Sequence, residues 1–291
     1  MEQFNKIIEF RQAVYDHGLT STKDAQFELV DALLLNPGIR SFPELSLSPA
    51  FRRKWPSAYT AIEDGEQDLD WLEAYFVRQV PKQGTQVFSL DDTSWLHPAA
   101  KTLADRHYVC SSSQAVHRSI FAGHPYSRLA WVPEPTRCWA PPASVRRITS
   151  QQTPTEVGVA QVKCLCRLRK EEMNRWLYLI VGDGKYGNHR FLGPLKDEPC
   201  GALVRLRCDR VLYGEPGPYG GMGRPRVHGD RFAFKEPETR GEPDAESIVK
   251  DERWGRTRLR RWDNKHALQD ADTPFSVILV ETHLERDQPS D

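Results

Sequence analysis

Three aspartates, at two points of the chain, have the type and the surroundings for phosphate chemistry. Val87-Phe88-Ser89-Leu90 runs directly into Asp91-Asp92-Thr93, and Tyr178-Leu179-Ile180-Val181 runs into Gly182-Asp183-Gly184. Each acidic position is predicted to sit where a hydrophobic strand ends, and the two lie 91 or 92 residues apart. In α/β sheets, strand ends are where side chains project into a crevice. On neighbouring strands these carboxylates would converge, and at ~4 Å in an effective dielectric of ~20 two bare ones repel by roughly 4 kcal/mol. A divalent cation relieves that repulsion, and oxygen-only ligands with retained waters suit magnesium or manganese. Two such ions about 3.5–4 Å apart activate water and stabilise the leaving oxygen of a phosphodiester. The same residues also suit a humbler role, since Asp after a strand is a common cap and Gly182-Asp183-Gly184 would make an ordinary tight turn.

The elements that must position these residues can be read from periodicity. The first eighty residues are predicted to be helical. Phe4, Ile7, Ile8, Arg11 and Tyr15 recur at helical spacing before Gly18, and a second helix is expected from Thr22 to Leu35, ended by Asn36-Pro37-Gly38. Ser48-Pro49 has the form of an N-cap followed by a first-turn proline, and a last helix holds Leu69, Leu72, Tyr75, Phe76 and Val80. From Thr85 the period changes to that of strands. After the strand at residues 86–90, Ala115 to Ala122 and Tyr126 to Val132 read as strands joined by a turn at Gly123-His124-Pro125, and a proline-rich loop follows. Thr153-Pro154-Thr155-Glu156 combines N-cap, proline and capping-box glutamate, and so opens a helix carrying Val157, Ala160, Leu165 and Leu168. Trp176 to Val181 and Ala202 to Leu206 are expected strands. Beyond a glycine-rich stretch from Gly214 to Gly229, Arg231 to Phe234, Thr257 to Trp262 and Phe275 to Leu284 read as short β pieces.

Composition narrows the classes. Of 291 residues, 39% are hydrophobic and 27% charged, with 21 Pro and 19 Gly, which fits a loop-rich folded protein and not a disordered one. The longest apolar run, Trp176 to Val181, is far short of the ~18 residues of a membrane span. Met1-Glu2-Gln3-Phe4-Asn5-Lys6 resembles neither a signal nor a transit peptide, so the cytoplasm is the expected compartment. The six cysteines are too few for a disulfide scaffold, and Cys164-x-Cys166 lacks the second pair of a zinc site. Net charge is zero, yet residues 101–230 carry 20 basic and 11 acidic groups, while residues 1–100 carry 9 and 15 and residues 231–291 carry 11 and 14. A basic middle between acidic ends suits a polyanionic partner, or simply a solvated face.

Arg205, Arg207 and Arg210 are expected to alternate along a strand, with Arg224 and Arg226 in the glycine-rich loop. Arg256, Arg258, Arg260 and Arg261 follow, between Trp254 and Trp262. Such residues form a phosphate-contacting surface or a solvated strand face with a flexible hairpin. No Gly-Lys-Ser/Thr follows the glycines, so they are no P-loop, and His97, His107, His117 and His124 are too scattered for a zinc site.

Taken in order and spacing, these motifs resemble those of DDE transposases of bacterial insertion sequences. Val87-Phe88-Ser89-Leu90-Asp91-Asp92-Thr93 resembles their first catalytic strand, where an Asp-Thr pair follows an apolar run. Tyr178 to Asn188 resembles their second-aspartate strand, and Gly223-Arg224-Pro225-Arg226-Val227-His228-Gly229 resembles a Gly-Arg-Pro-x-x-His-Gly element of one group. The similarity spans roughly residues 22–286 and implies an α+β, RNase H-like mixed sheet with helices, an N-terminal helical region (residues 1–82), a core (residues 83–206) and a β-rich insertion (residues 207–291). It implies metal-dependent cleavage and strand transfer on DNA, with element ends and target as partners. It also implies a two-metal Mg²⁺ or Mn²⁺ site held by two Asp and one Glu; a homodimer is a further expectation. Asp183 carries over as the second aspartate; Asp92 is favoured as the first because it directly precedes Thr93, with Asp91 the alternative. The Glu of the family's Tyr-Arg-Glu-Lys helix has no counterpart after residue 206. Glu281 and Glu285 fall in or just after an expected strand, so the chain is expected to be C-terminally truncated and to lack the last catalytic carboxylate; a catalytically dead remnant that only binds DNA is the alternative expectation.

Overall fold

The computed structural model describes residues 2–39, 41–100, 102–110, 120–134, 139–251 and 254–282. Contacts divide the chain into two units, residues 1–81 and 82–291.

The first unit is helical: α1 (Glu2–Ala13), α2 (Lys23–Leu35), α3 (Phe42–Leu45), α4 (Pro56–Glu63) and α5 (Leu69–Gln79). Small and apolar side chains of α2, α3 and α4 bury one core of Ala25, Leu29, Ala32, Leu45, Ala58 and Ala61, joined by Phe51. The helix expected at Ser48-Pro49 does not form. Ser48 is buried, and its hydroxyl accepts from Asn36 Nδ2 at 2.9 Å while its carbonyl accepts from the Phe51 N–H at 2.9 Å. The segment is spent on a turn that drops Phe51 into the core, and α3 takes its cap from Ser41 instead.

The second unit contains two sheets. The first has the order β2-β3-β1-β5-β6, built from β1 (Gln86–Leu96), β2 (His107–Cys110), β3 (Ile120–Val132), β5 (Tyr178–Gly182) and β6 (Gly201–Val204). Here β4 (Pro142–Arg147) shares the far edge of β3 with β2. β1, β5 and β6 run parallel, and β3 is antiparallel to β1. Helix α6 (Pro154–Leu168) starts at the expected capping box and buries Val157, Gln161, Val162 and Leu165 at helical spacing. Short α7 (Lys170–Met173) and α8 (His189–Leu192) follow.

Two sequence expectations are corrected here. β3 runs unbroken through Gly123-His124-Pro125, where a turn was expected, because both flanks of that stretch are paired. Gly123 lets the strands close up, since a Cβ there would lie 2.4 Å from the Trp95 carbonyl oxygen, and Pro125 still accepts from the Ile148 N–H at 2.9 Å. The earlier part of the expected Ala115–Ala122 strand, with His117, lies outside the described residues. The expected proline-rich loop also contributes β4.

The second sheet holds β7 (Val211–Tyr213), β8 (Arg231–Ala233), β9 (Ala245–Asp251), β10 (Gly255–Ala267) and β11 (Asp270–Thr282) in the order β11-β10-β7-β8, with β9 on β10. Leu212, Phe232, Trp262 and Val277 form its buried core. The chain is thus α+β with one mixed sheet and a second β layer, an RNase H-like arrangement. Among the described residues no helix is long and apolar enough to cross a membrane.

Candidate functional site

β1 does not stop at Leu90. It continues to Leu96 because β3 pairs with it residue for residue, from Val87↔Val132 to Leu96↔Gly123. What ends at this level is β5, whose Gly182 lies opposite Leu90. Asp91 and Asp92 therefore sit mid-strand rather than at a strand end, and Asp183 alone leaves its strand. The hydrophobic run broke off at Leu90 because a parallel neighbour was lost, and with it burial on that side. The crevice opens where β5 turns away from β1, with both acidic positions at its mouth.

Alternation separates the adjacent aspartates. Phe88, Leu90 and Asp92 share one face of β1, covered by α6; Asp91 falls on the other. A Cβ on Gly158 of α6 would meet Leu90 Cδ2 at 2.9 Å and Tyr186 Cε1 at 3.0 Å, so glycine here brings helix and strand together. Opposite Asp92, buried Ser127 of β3 donates to Gln161 Oε1 at 2.6 Å, and Gln161 Nε2 donates onward to Ser144 Oγ at 2.9 Å. Strand and helix are locked directly behind the carboxylate. The Asp92 side chain is only 9% exposed. Asp91 is exposed, and its Oδ1 accepts from the Asp92 N–H at 2.8 Å.

Asp183 is exposed and closes a turn: its Oδ1 accepts from the Lys185 N–H at 2.9 Å, and its carbonyl accepts from Tyr186 N–H at 3.1 Å. The ammonium of the same Lys185 donates to Asp92 Oδ1. Lys185 thus ties the two acidic positions together. Behind it, burial pushes the Tyr186 phenol well above its ordinary pKa, Asp92 raises it further, and Asp91 and Asp183 add to the effect. All three carboxylates therefore act on one buried hydroxyl.

The donor set is hard carboxylate oxygen, and Asp92 already faces a cation. Among the described residues no cluster of three or more His, Cys, Asp and Glu is placed to hold a metal. Magnesium commonly takes one or two carboxylates and fills its octahedron with water and substrate phosphate, so the donor chemistry of Asp92 and Asp183 suits such an ion. Glu281 lies in β11 of the second sheet, paired with Arg260 at 2.8 Å, and Glu285 lies outside the described residues.

The arginines divide by location. Arg205, Arg207 and Arg210 are not on a strand, since β6 ends at Val204; the expected alternation there is corrected. They belong to the connection to β7, which the Arg205 N–H ties to the Gly182 carbonyl at 3.0 Å, and the Arg207 stem passes Gly184. Two of the predicted phosphate contacts thus border the Asp183 turn. Arg224 and Arg226 are exposed on the loop between β7 and β8. Backbone bonds close its neck, from Gly214 N–H to the Asp230 carbonyl and from Gly229 N–H to the Gly214 carbonyl, both 2.9 Å. There His228 Nδ1 lies 2.9 Å from Nε2 of buried His266. Burial first, and then the His228 charge, lowers the His266 pKa. Arg258 and Arg260, on β10, face Glu246 at 3.4 Å and Glu281 at 2.8 Å.

Sequence reasoning passed over Lys185, Tyr186, Ser127 and Gln161. Gln161 carried a signal, as a polar residue four positions after Val157 on the apolar stripe of α6; Lys185 stood inside a quoted motif with no reason to single it out. No curated protein matches the chain. A family model described as DDE superfamily endonuclease matches residues 15–266 of the 291, and the chain belongs to that family.

Proposed function

We propose that this protein is a transposase that cuts and joins DNA phosphodiesters with the help of Mg²⁺ or Mn²⁺ bound at Asp92 and Asp183. Its family is one of endonucleases, which makes DNA the substrate class and a divalent metal the general expectation. The observation that carries the reading is that one residue, Lys185, bonds both Asp183, through its N–H, and Asp92, through its ammonium, at the point where parallel β5 leaves β1. Asp92 is favoured over Asp91 because it is the shielded carboxylate on the α6 face, whereas Asp91 is exposed and bonded to its own neighbour's N–H.

Bound there, divalent ions would lower the pKa of a water nucleophile and neutralise charge on the leaving oxygen. The chain's own residues hold the reactants. Asp92, fixed by the β1–β3 register and the Ser127–Gln161 bond behind it, presents its oxygens at constant depth. Arg205 and Arg207 border the Asp183 turn and would steady the phosphates either side of the scissile one. Hydrolysis at the element's end leaves a 3′-hydroxyl and a 5′-phosphate, and that hydroxyl then attacks a target phosphodiester, displacing its 3′ oxygen. Cytoplasmic location and a homodimer belong to the same proposal.

A second reading, a DNA-binding remnant without catalysis, is favoured by one observation: among the described residues no group of three or more His, Cys, Asp and Glu is placed to hold a metal. The test is incubation of the protein with end-labelled duplex carrying the termini of its element, in Mg²⁺, Mn²⁺ or chelator. Metal-dependent cleavage leaving 3′-hydroxyls is expected; retention of the duplex without cleavage in either metal would favour the remnant.

A further inference from the structure

We propose that Lys185 is a tethered cation that holds the place of a divalent ion at Asp92 and must swing away before that ion binds, so that it sets the site's metal affinity. The inference rests on the reading of Asp92 as a metal ligand. One residue supplies two donors to the two acidic positions, its N–H to Asp183 Oδ1 and its ammonium to Asp92 Oδ1.

The two ends of Lys185 are held very differently. Its backbone is fixed by the Asp183 turn and by the packing of Tyr186 next to it, which is fully buried. Its side chain is 45% exposed, and among the described residues Asp92 is the ammonium's one ion-pair partner. Four rotatable bonds let the charged head leave into water without disturbing the turn. Asp92 has no such freedom. Its side chain is almost covered, packed on the face of Leu90 and Ser127, and an unpaired carboxylate there is costly. An ammonium is a single charge, and it cannot bridge several oxygens as an octahedral ion does. A divalent ion carries twice the charge and displaces it, at the expense of breaking the ion pair. Lys185 is therefore a positioning residue: it keeps Asp92 paired and aimed without metal, and weakens metal binding by competition.

The test is titration of the full chain with Mn²⁺, followed by loss of the free-ion paramagnetic resonance signal. Lys185→Met should tighten Mn²⁺ binding by about tenfold, because the competing charge is gone. Lys185→Arg, which keeps the charge, should stay near the parent affinity. Placed on Asp92→Asn, Lys185→Met should bring no gain, because the competition acts through that carboxylate. Circular dichroism checks that each variant folds, and the Arg variant keeps the comparison open should the Met variant be unstable. Parent binding with an unchanged or weaker Lys185→Met, or an Arg variant that tightens equally, would overturn the role of Lys185 and leave the metal site standing. No Mn²⁺ binding at millimolar concentration by any of the proteins would overturn both.

Discussion

The sheet around β1 and the sheet around β10 use charge in opposite ways. In the first, three aspartates and one lysine gather at a single level, and the Asp92 carboxylate is backed by Leu90, Ser127 and a glycine-thin helix contact. In the second, arginines are more numerous but dispersed: two on an exposed loop and four on β10, of which Arg258 and Arg260 face Glu246 and Glu281. Chemistry at a phosphorus atom demands oxygens fixed to a fraction of an ångström, which only a buried scaffold supplies. Gripping a polyanion demands charge in number, and flexible exposed side chains suffice. The contrast implies that substitutions in the first sheet act on catalysis and stability, whereas those in the second act on salt-dependent affinity.

The largest effect should come from Asp92→Asn or Asp183→Asn. If each holds the ion as proposed, its loss removes several kcal/mol of transition-state stabilisation, so cleavage should fall by at least roughly a hundredfold. Duplex binding in chelator should stay nearly intact. Parallel loss of cleavage and binding would erase the division between the sheets.

Next in size is the lock behind the site. Gln161 is fully buried and bonded to Ser127 and Ser144, so Gln161→Leu leaves buried polar groups without a partner and should cost about 1–3 kcal/mol of stability, read from a denaturant midpoint. An unchanged midpoint would mean that the helix is held without that bond.

For the second sheet the sharpest probe is Arg224→Ala with Arg226→Ala. If both touch phosphate, the slope of log affinity against log salt should flatten by roughly two units, at about 0.9 per contact. An unchanged slope would remove the loop from the DNA path.

The smallest effect is local and acid-dependent. Asp105 accepts from Ser150 and pairs with Arg147, and these partners hold its carboxyl at about 2. A depressed folded-state pKa stabilises above the unfolded value near 3.9 and loses that contribution as pH falls through about 2. Asp105→Asn should therefore shrink the pH dependence of stability between about pH 4 and pH 2 and leave it unchanged above that window. Identical acid limbs in both proteins would contradict the assignment.

Much of this was legible in the sequence where local chemistry decides. The Thr153–Glu156 capping box opened α6 where expected, and the apolar runs at Val87 and Tyr178 became the two parallel strands that flank the crevice. Long-range pairing was not legible. Nothing near Asp92 announces that β3 carries β1 on to Leu96, and Gly123-His124-Pro125 has the composition of a turn although neighbours on both sides hold it extended. Lys185 escaped notice for the same reason: its importance lies in a contact with a residue 93 positions away.

The most direct measurement is anomalous diffraction from crystals of the protein soaked in Mn²⁺. The expected result is an anomalous peak within coordination distance of Asp92 and Asp183 oxygens, about 2.0–2.3 Å for a hard divalent ion, with the Lys185 ammonium displaced. Carboxylates more than about 10 Å apart, or a peak that touches neither, would contradict it, because ions about 3.5–4 Å apart cannot then be shared between them.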